Sequence, residues 1–111
     1  MQSTRLNKLL AFLTTEPNDP FILYALATEY NSLNDTEQAY HYYLKLVDEH
    51  PAYVGTYYHL GKLYQKHGET DKAIAIYQQG MKRAREKGDG HAFAELQGAY
   101  NTAAGLDYED D

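Results

Sequence analysis

The chain is 111 residues long, carries a net charge of −6 and contains no cysteine. That length suits one domain. The charge argues against nucleic acid and against an anionic membrane face, both of which need a clustered basic surface, and the missing cysteine removes disulfide and thiolate chemistry. The longest early apolar run, LLAFL at 9–13, falls short of the roughly 7–15 residues of a leader-peptide core, and nothing approaches the ~20 apolar residues of a membrane span. A soluble cytoplasmic protein is the expectation.

Proline, present only at 17, 20 and 51, and glycine divide the chain into helical lengths, and no segment alternates long enough to make a strand. The spacing predicts a first helix over 4–15, capped by Ser3 and ended by Pro17, with Leu6, Leu9, Leu10 and Leu13 on one face. A second starts at Asp19 as N-cap and Pro20 in the first turn, where a missing N–H costs nothing. It carries Leu23, Leu26, Ala27 and Tyr30 and stops at Asn34, a residue that tolerates the left-handed conformation. A third, capped by Asp35 or Thr36, carries Ala39, Tyr43, Leu46 and Val47 and ends before Pro51, which disfavours helical geometry at His50. A fourth is expected over Tyr53–His67, with Tyr57, Leu60, Gly61 and Tyr64 inward and Gly68 as stop. Thr70 opens a fifth, with Ala73, Ile76, Tyr77 and Gly80 inward; its KRAREK end puts cations where the helix dipole favours them, before Gly88. A sixth, from Asp89 or Gly90 to Gly105, carries Phe93, Leu96, Tyr100 and Ala103. The remaining LDYEDD, 106–111, is an acidic tail.

One phrase occurs twice. LATEYNSLNDTEQAYHYY at 26–43 returns thirty-four residues later as LGKLYQKHGETDKAIAIY, with five identities: Leu26/Leu60, Tyr30/Tyr64, Thr36/Thr70, Ala39/Ala73 and Tyr43/Tyr77. A fixed offset of this size marks a stacked structural repeat, since a lone helix pair cannot bury its own faces. Gly61 and Ala27 must be small because a paired helix crosses there, with Ala39 and Ala73 expected on the far side.

These residues resemble the tetratricopeptide repeat (TPR), a helix-turn-helix unit. The second copy carries the family's Tyr57, Leu60, Gly61 and Tyr64, then Ala73, Tyr77 and Gly80, with Arg85 where the closing proline would stand. The first carries Leu23, Leu26, Ala27, Tyr30, Ala39, Tyr43, Leu46 and Pro51. Leu9, Phe12 and Pro17 resemble half a repeat; Phe93, Leu96 and Tyr100 resemble another, two residues out of step. The resemblance implies an all-α, right-handed solenoid of about six antiparallel helices in one domain. Its parts would be a half-repeat helix (4–15), repeat 1 (20–53), repeat 2 (54–87), a capping helix (90–104) and the tail (106–111).

No enzyme chemistry is legible. The histidines, His41, His50, His59, His67 and His91, form no metal-binding pair; the serines sit in no nucleophile motif; the glycines build no phosphate loop. No metal and no cofactor is expected. The resemblance implies instead a concave groove for a peptide or helix of a protein partner, lined by Phe21, Tyr24 and Thr28 from the first repeat, Tyr58, Lys62, Gln65 and Lys66 from the second, and His91 and Asn101 from the last helix. The family's two-carboxylate clamp for chaperone tails would need cations and amides at Tyr24, Thr28, His59, His91 and Glu95, and none matches. The chain's own tail, through a neighbouring copy, is one candidate ligand. The alternatives are a self-associating scaffold subunit or homodimer, pairing through Leu10, Phe93 or Tyr100, and a small acidic secretion-type chaperone.

Overall fold

A computed structural model describes residues 3–106; the tail, apart from Leu106, lies outside the described residues. Six helices follow one another: α1 (Thr4–Thr15), α2 (Pro20–Ser32), α3 (Thr36–Glu49), α4 (Gly55–Lys66), α5 (Thr70–Lys87) and α6 (Gly90–Ala103), with no strand among the described residues. The chain forms two compact units, divided between Tyr53 and Val54.

Side-chain caps start four of these helices. Ser3, Asp19, Asp35 and Asp89 accept from the backbone N–H groups of Leu6, Phe21, Gln38 and Ala92, each satisfying a donor the first turn would otherwise leave bare. Two kinds of stop end them. Asn34, Gly68, Gly88 and Gly105 all take positive φ, from 62° at Asn34 to 76° at Gly68. Each closes the same pair of bonds, as at Gly88: its N–H donates to the Arg85 carbonyl (3.1 Å) and the next N–H, of Asp89, to the Ala84 carbonyl (2.9 Å). This is the left-handed cap that satisfies the last orphan carbonyls. α1 and α3 end otherwise, on Glu16 and His50 at φ −129° and −136°, each followed by a proline.

In the first unit α2 packs against both α1 and α3. Leu6, Leu9, Ile22, Ala25 and Leu26 form one buried cluster, with Leu10, Leu13, Tyr30 and Tyr42 half-buried against it. The Tyr30 and Tyr42 rings stack at 5.8 Å. Glu29 fastens α1 to α2: the Ser3 hydroxyl donates to it at 2.8 Å and Arg5 pairs with it at 3.2 Å. Leu23, Ala27, Ala39, Tyr43 and Leu46 have no exposed surface.

In the second unit α5 packs against α4 and α6, and α6 also touches α4. The close approach expected at Gly61 is present, and the group nearest across it is the Tyr77 ring: a Cβ at Gly61 would stand 2.1 Å from Tyr77 Cε1. Gly80 mirrors it, with the Tyr57 Cβ 2.5 Å from where its own would lie. Each helix thus supplies a glycine to receive the other's tyrosine. Two expectations need correction. α4 begins at Gly55, not Tyr53, because the Tyr53 N–H donates to the His50 carbonyl (2.9 Å) in a turn. On α6 the buried residues are Leu96 and Ala99, while Phe93, Tyr100 and Ala103 stay half-buried.

Candidate functional site

The faces of α2, α4 and α6 carry the predicted site residues, and local bonding separates them into two kinds. Thr28 and Gln65 are engaged within their own unit through their side chains, and Asn101 through its main chain. The Thr28 hydroxyl donates to the Ala25 carbonyl (3.0 Å), Gln65 Oε1 accepts from the Tyr77 hydroxyl (2.6 Å), and the Asn101 carbonyl accepts from Leu106 N–H (2.7 Å). The Gln65 bond positions Tyr77, whose phenol burial pushes up to about 12.

Phe21, Tyr24, Tyr58, Lys62, Lys66 and His91 present surface. Phe21 is 65 % exposed on the first turn of α2, and Tyr24 sits one turn on with its ring 5.5 Å from Tyr53. Burial, and then the charge of Asp19, raise the Tyr53 phenol. On α4 the Lys62 ammonium lies 5.5 Å from the centre of the Tyr58 ring, within cation–π range, and Lys66 is exposed one turn further along. His91 and Asn101 stand at opposite ends of α6, ten residues and roughly 15 Å of helix apart, so no common contact joins them.

Two neighbours of these residues were not among the expected groove residues. Tyr53 joins Tyr24 from the turn before α4, where helical spacing carries no information. His59 meets Tyr58 edge-on at 5.6 Å, and the Glu95 carboxylate on α6 lies within electrostatic range of it. Among the described residues no three His, Asp or Glu side chains gather as for a metal ion, and no helix is long and apolar enough to cross a membrane.

Six helices in the order of paired repeats, with tyrosines received by glycines where α4 and α5 cross, define an all-α helical-repeat fold. The tetratricopeptide repeat family model matches residues 30–100, more than half of the sequence. The chain therefore belongs to the tetratricopeptide repeat family, whose members generally mediate protein–protein interaction without catalysis. It is similar to a tetratricopeptide repeat domain protein from Salinibacter ruber solved by solution NMR, at 45 % identity and TM-score 0.78, over 86 % of this chain and 96 % of that one. A crystal structure of such a domain from the same organism gives 47 % identity and TM-score 0.76, over 81 % and 100 %. A solution structure from Bordetella parapertussis shares the fold, with TM-score 0.77 at 24 % identity, over 94 % and 90 %. No curated protein matches.

Proposed function

We propose that the chain is a non-catalytic, cytoplasmic protein-binding module that holds a peptide or helix of its partner on the faces of α2, α4 and α6. The observation that carries this reading is the cation–aromatic strip on α4. Tyr58, Lys62 and Lys66 lie on one exposed face, with the Lys62 ammonium 5.5 Å from the Tyr58 ring. Such a strip suits a segment combining carboxylates with an aromatic or aliphatic anchor. Phe21 and Tyr24 give α2 a more apolar face for the same purpose. Thr28 and Gln65 contribute by holding backbone and ring geometry, and Asn101 adds a polar side chain to the face of α6.

The test is a pull-down from source-cell lysate, comparing the full chain with a Tyr24→Ala/Tyr58→Ala/Lys62→Glu variant whose helicity has been verified by circular dichroism. A protein recovered by the first and lost from the second supports the reading. Equal recovery by both defeats it.

A further inference from the structure

The two repeats treat one tyrosine differently. Tyr43 on α3 and Tyr77 on α5 stand thirty-four residues apart, at the same place in their repeats, and neither has exposed surface. Each phenol is pushed up by burial and then by a tyrosine of the helix before it, Tyr24 on α2 for Tyr43 and Tyr58 on α4 for Tyr77. Those two neighbours are thirty-four apart as well. Both hydroxyls therefore end beside the helix face that carries the expected groove residues.

In repeat 2 the hydroxyl is answered: it donates to Gln65 Oε1 at 2.6 Å. In repeat 1 it is not. The Tyr43 oxygen is buried with no hydrogen-bond partner among the described residues, and Asn31, one methylene shorter, stands at the place of Gln65. A buried hydroxyl left unbonded has lost its hydration and gained nothing in exchange, and native structures keep few such groups.

The charges around it select what could bond it. The helix α2, PFILYALATEYNS, contains no lysine or arginine. Its cap is Asp19, which accepts from Phe21 N–H at 2.9 Å, and its one carboxylate, Glu29, is held by Ser3 and Arg5. A carboxylate brought to this face would meet Asp19 and no unpaired cation of α2. A neutral carbonyl oxygen would meet an unused donor, with exposed Phe21 as apolar surface beside it.

We propose that the α2 face binds an uncharged, extended segment of the partner, and that the Tyr43 hydroxyl donates to a backbone carbonyl of that segment. An extended segment is required because a helix spends its carbonyls on its own N–H groups. The hydroxyl is closed in the free protein, and a rotamer change at half-buried Tyr24, the usual scale of adjustment at an interface, opens it. This rests on the reading of the chain as a protein-binding module and adds the chemistry of the ligand: neutral on α2, acidic on α4.

The experiment titrates two capped peptides, acetyl-Leu-Ala-Leu-Ala-amide and acetyl-Glu-Ala-Glu-Ala-amide, into the ¹⁵N-labelled full chain at neutral pH. The neutral peptide should move the Phe21, Tyr24 and Thr28 amides, and the acidic one should leave them in place. Tyr43→Phe should weaken the neutral peptide about fivefold. Asn31→Gln, which gives the hydroxyl an internal acceptor, should weaken it to a similar extent, and Tyr77→Phe should not. Urea unfolding separates a lost bond from a lost fold: Tyr43→Phe should be at least as stable as the parent, and Tyr77→Phe less stable. Equal destabilisation by the two replacements would mean that the Tyr43 hydroxyl is already bonded, and would overturn the proposal. Undiminished affinity in Tyr43→Phe, stronger movement of α2 by the acidic peptide, or α2 amides that neither peptide moves would do the same. Tyr58 and Lys62 take no part in these titrations, so their failure is distinct from failure of the binding face on α4.

Discussion

Gly61→Ala adds one methyl group where α4 meets α5, and the structure sets its cost. The new Cβ would stand 2.1, 2.5 and 2.7 Å from Cε1, Cζ and Cδ1 of the Tyr77 ring. Carbons prefer about 3.5–4.0 Å, so the ring would have to retreat by more than an ångström. Tyr77 has no exposed surface, and its hydroxyl is tied to Gln65 at 2.6 Å. Retreat therefore overpacks the far side, at about 1–3 kcal/mol, and stretches a hydrogen bond worth about 1 kcal/mol. Replacing a mid-helix glycine returns up to about 1 kcal/mol. The expected net loss is about 1–3 kcal/mol, a fall in Tm of roughly 5–15 °C for a chain of this size. Urea and thermal unfolding followed by circular dichroism measure it. Tyr77→Leu in the same background should recover part of the loss by vacating the space. Gly98→Ala is the control: nothing lies within 4 Å of its Cβ position, so it should stabilise by about 0.5–1 kcal/mol. A Gly61→Ala protein as stable as the parent would refute the reasoning.

Three further outcomes are expected. Tyr43 corresponds to Tyr77, but its hydroxyl is buried with no hydrogen-bond partner among the described residues, and the counterpart of Gln65 is Asn31, one methylene shorter. Asn31→Gln should therefore stabilise by about 1 kcal/mol, a gain that disappears in a Tyr43→Phe background, as chemical denaturation will show. Burial holds the Tyr77 phenol at about 12 against 10.0 in the unfolded chain. Stability contributed by this group is intact below pH 10 and is lost as pH rises from 10 to 12, because the unfolded state releases its proton first. Tyr77→Phe should flatten that limb of an alkaline stability profile. Asp89→Ala removes the carboxylate that accepts from Ala92 N–H and should cost about 1 kcal/mol in the same denaturation assay.

Much of the helical frame was legible because it is written in local chemistry. Asn34 was read as a left-handed stop from its side chain alone, and its φ is 62°. Ser3 and Asp19 were read as caps and are caps. The start of α4 was misread because nothing in Ala52 or Tyr53 opposes helix; the turn there rests on a bond from Tyr53 N–H back to His50. Gly61 was read as a crossing and is one; that the Tyr77 ring fills the gap was not read, since spacing identifies the small residue but not which side chain reaches it. The site was less legible still. Spacing put Thr28 and Gln65 on the expected groove face, but whether a side chain reaches outward, bonds its own helix as Thr28 does, or bonds the next helix as Gln65 does depends on rotamers that no periodicity records.

Arg85 in the place of a third proline moves the count of the chain. Leu26 and Leu60 keep a beat of thirty-four, and the next beat falls on Ala94, while the leucine that is buried is Leu96. The two extra residues are absorbed before α6 begins, because each helix takes its phase from its own start: Leu96 lies six residues past Gly90, as Leu26 lies six past Pro20. A repeat of this kind can therefore change length at its closing turn without rotating the buried face of the helix that follows.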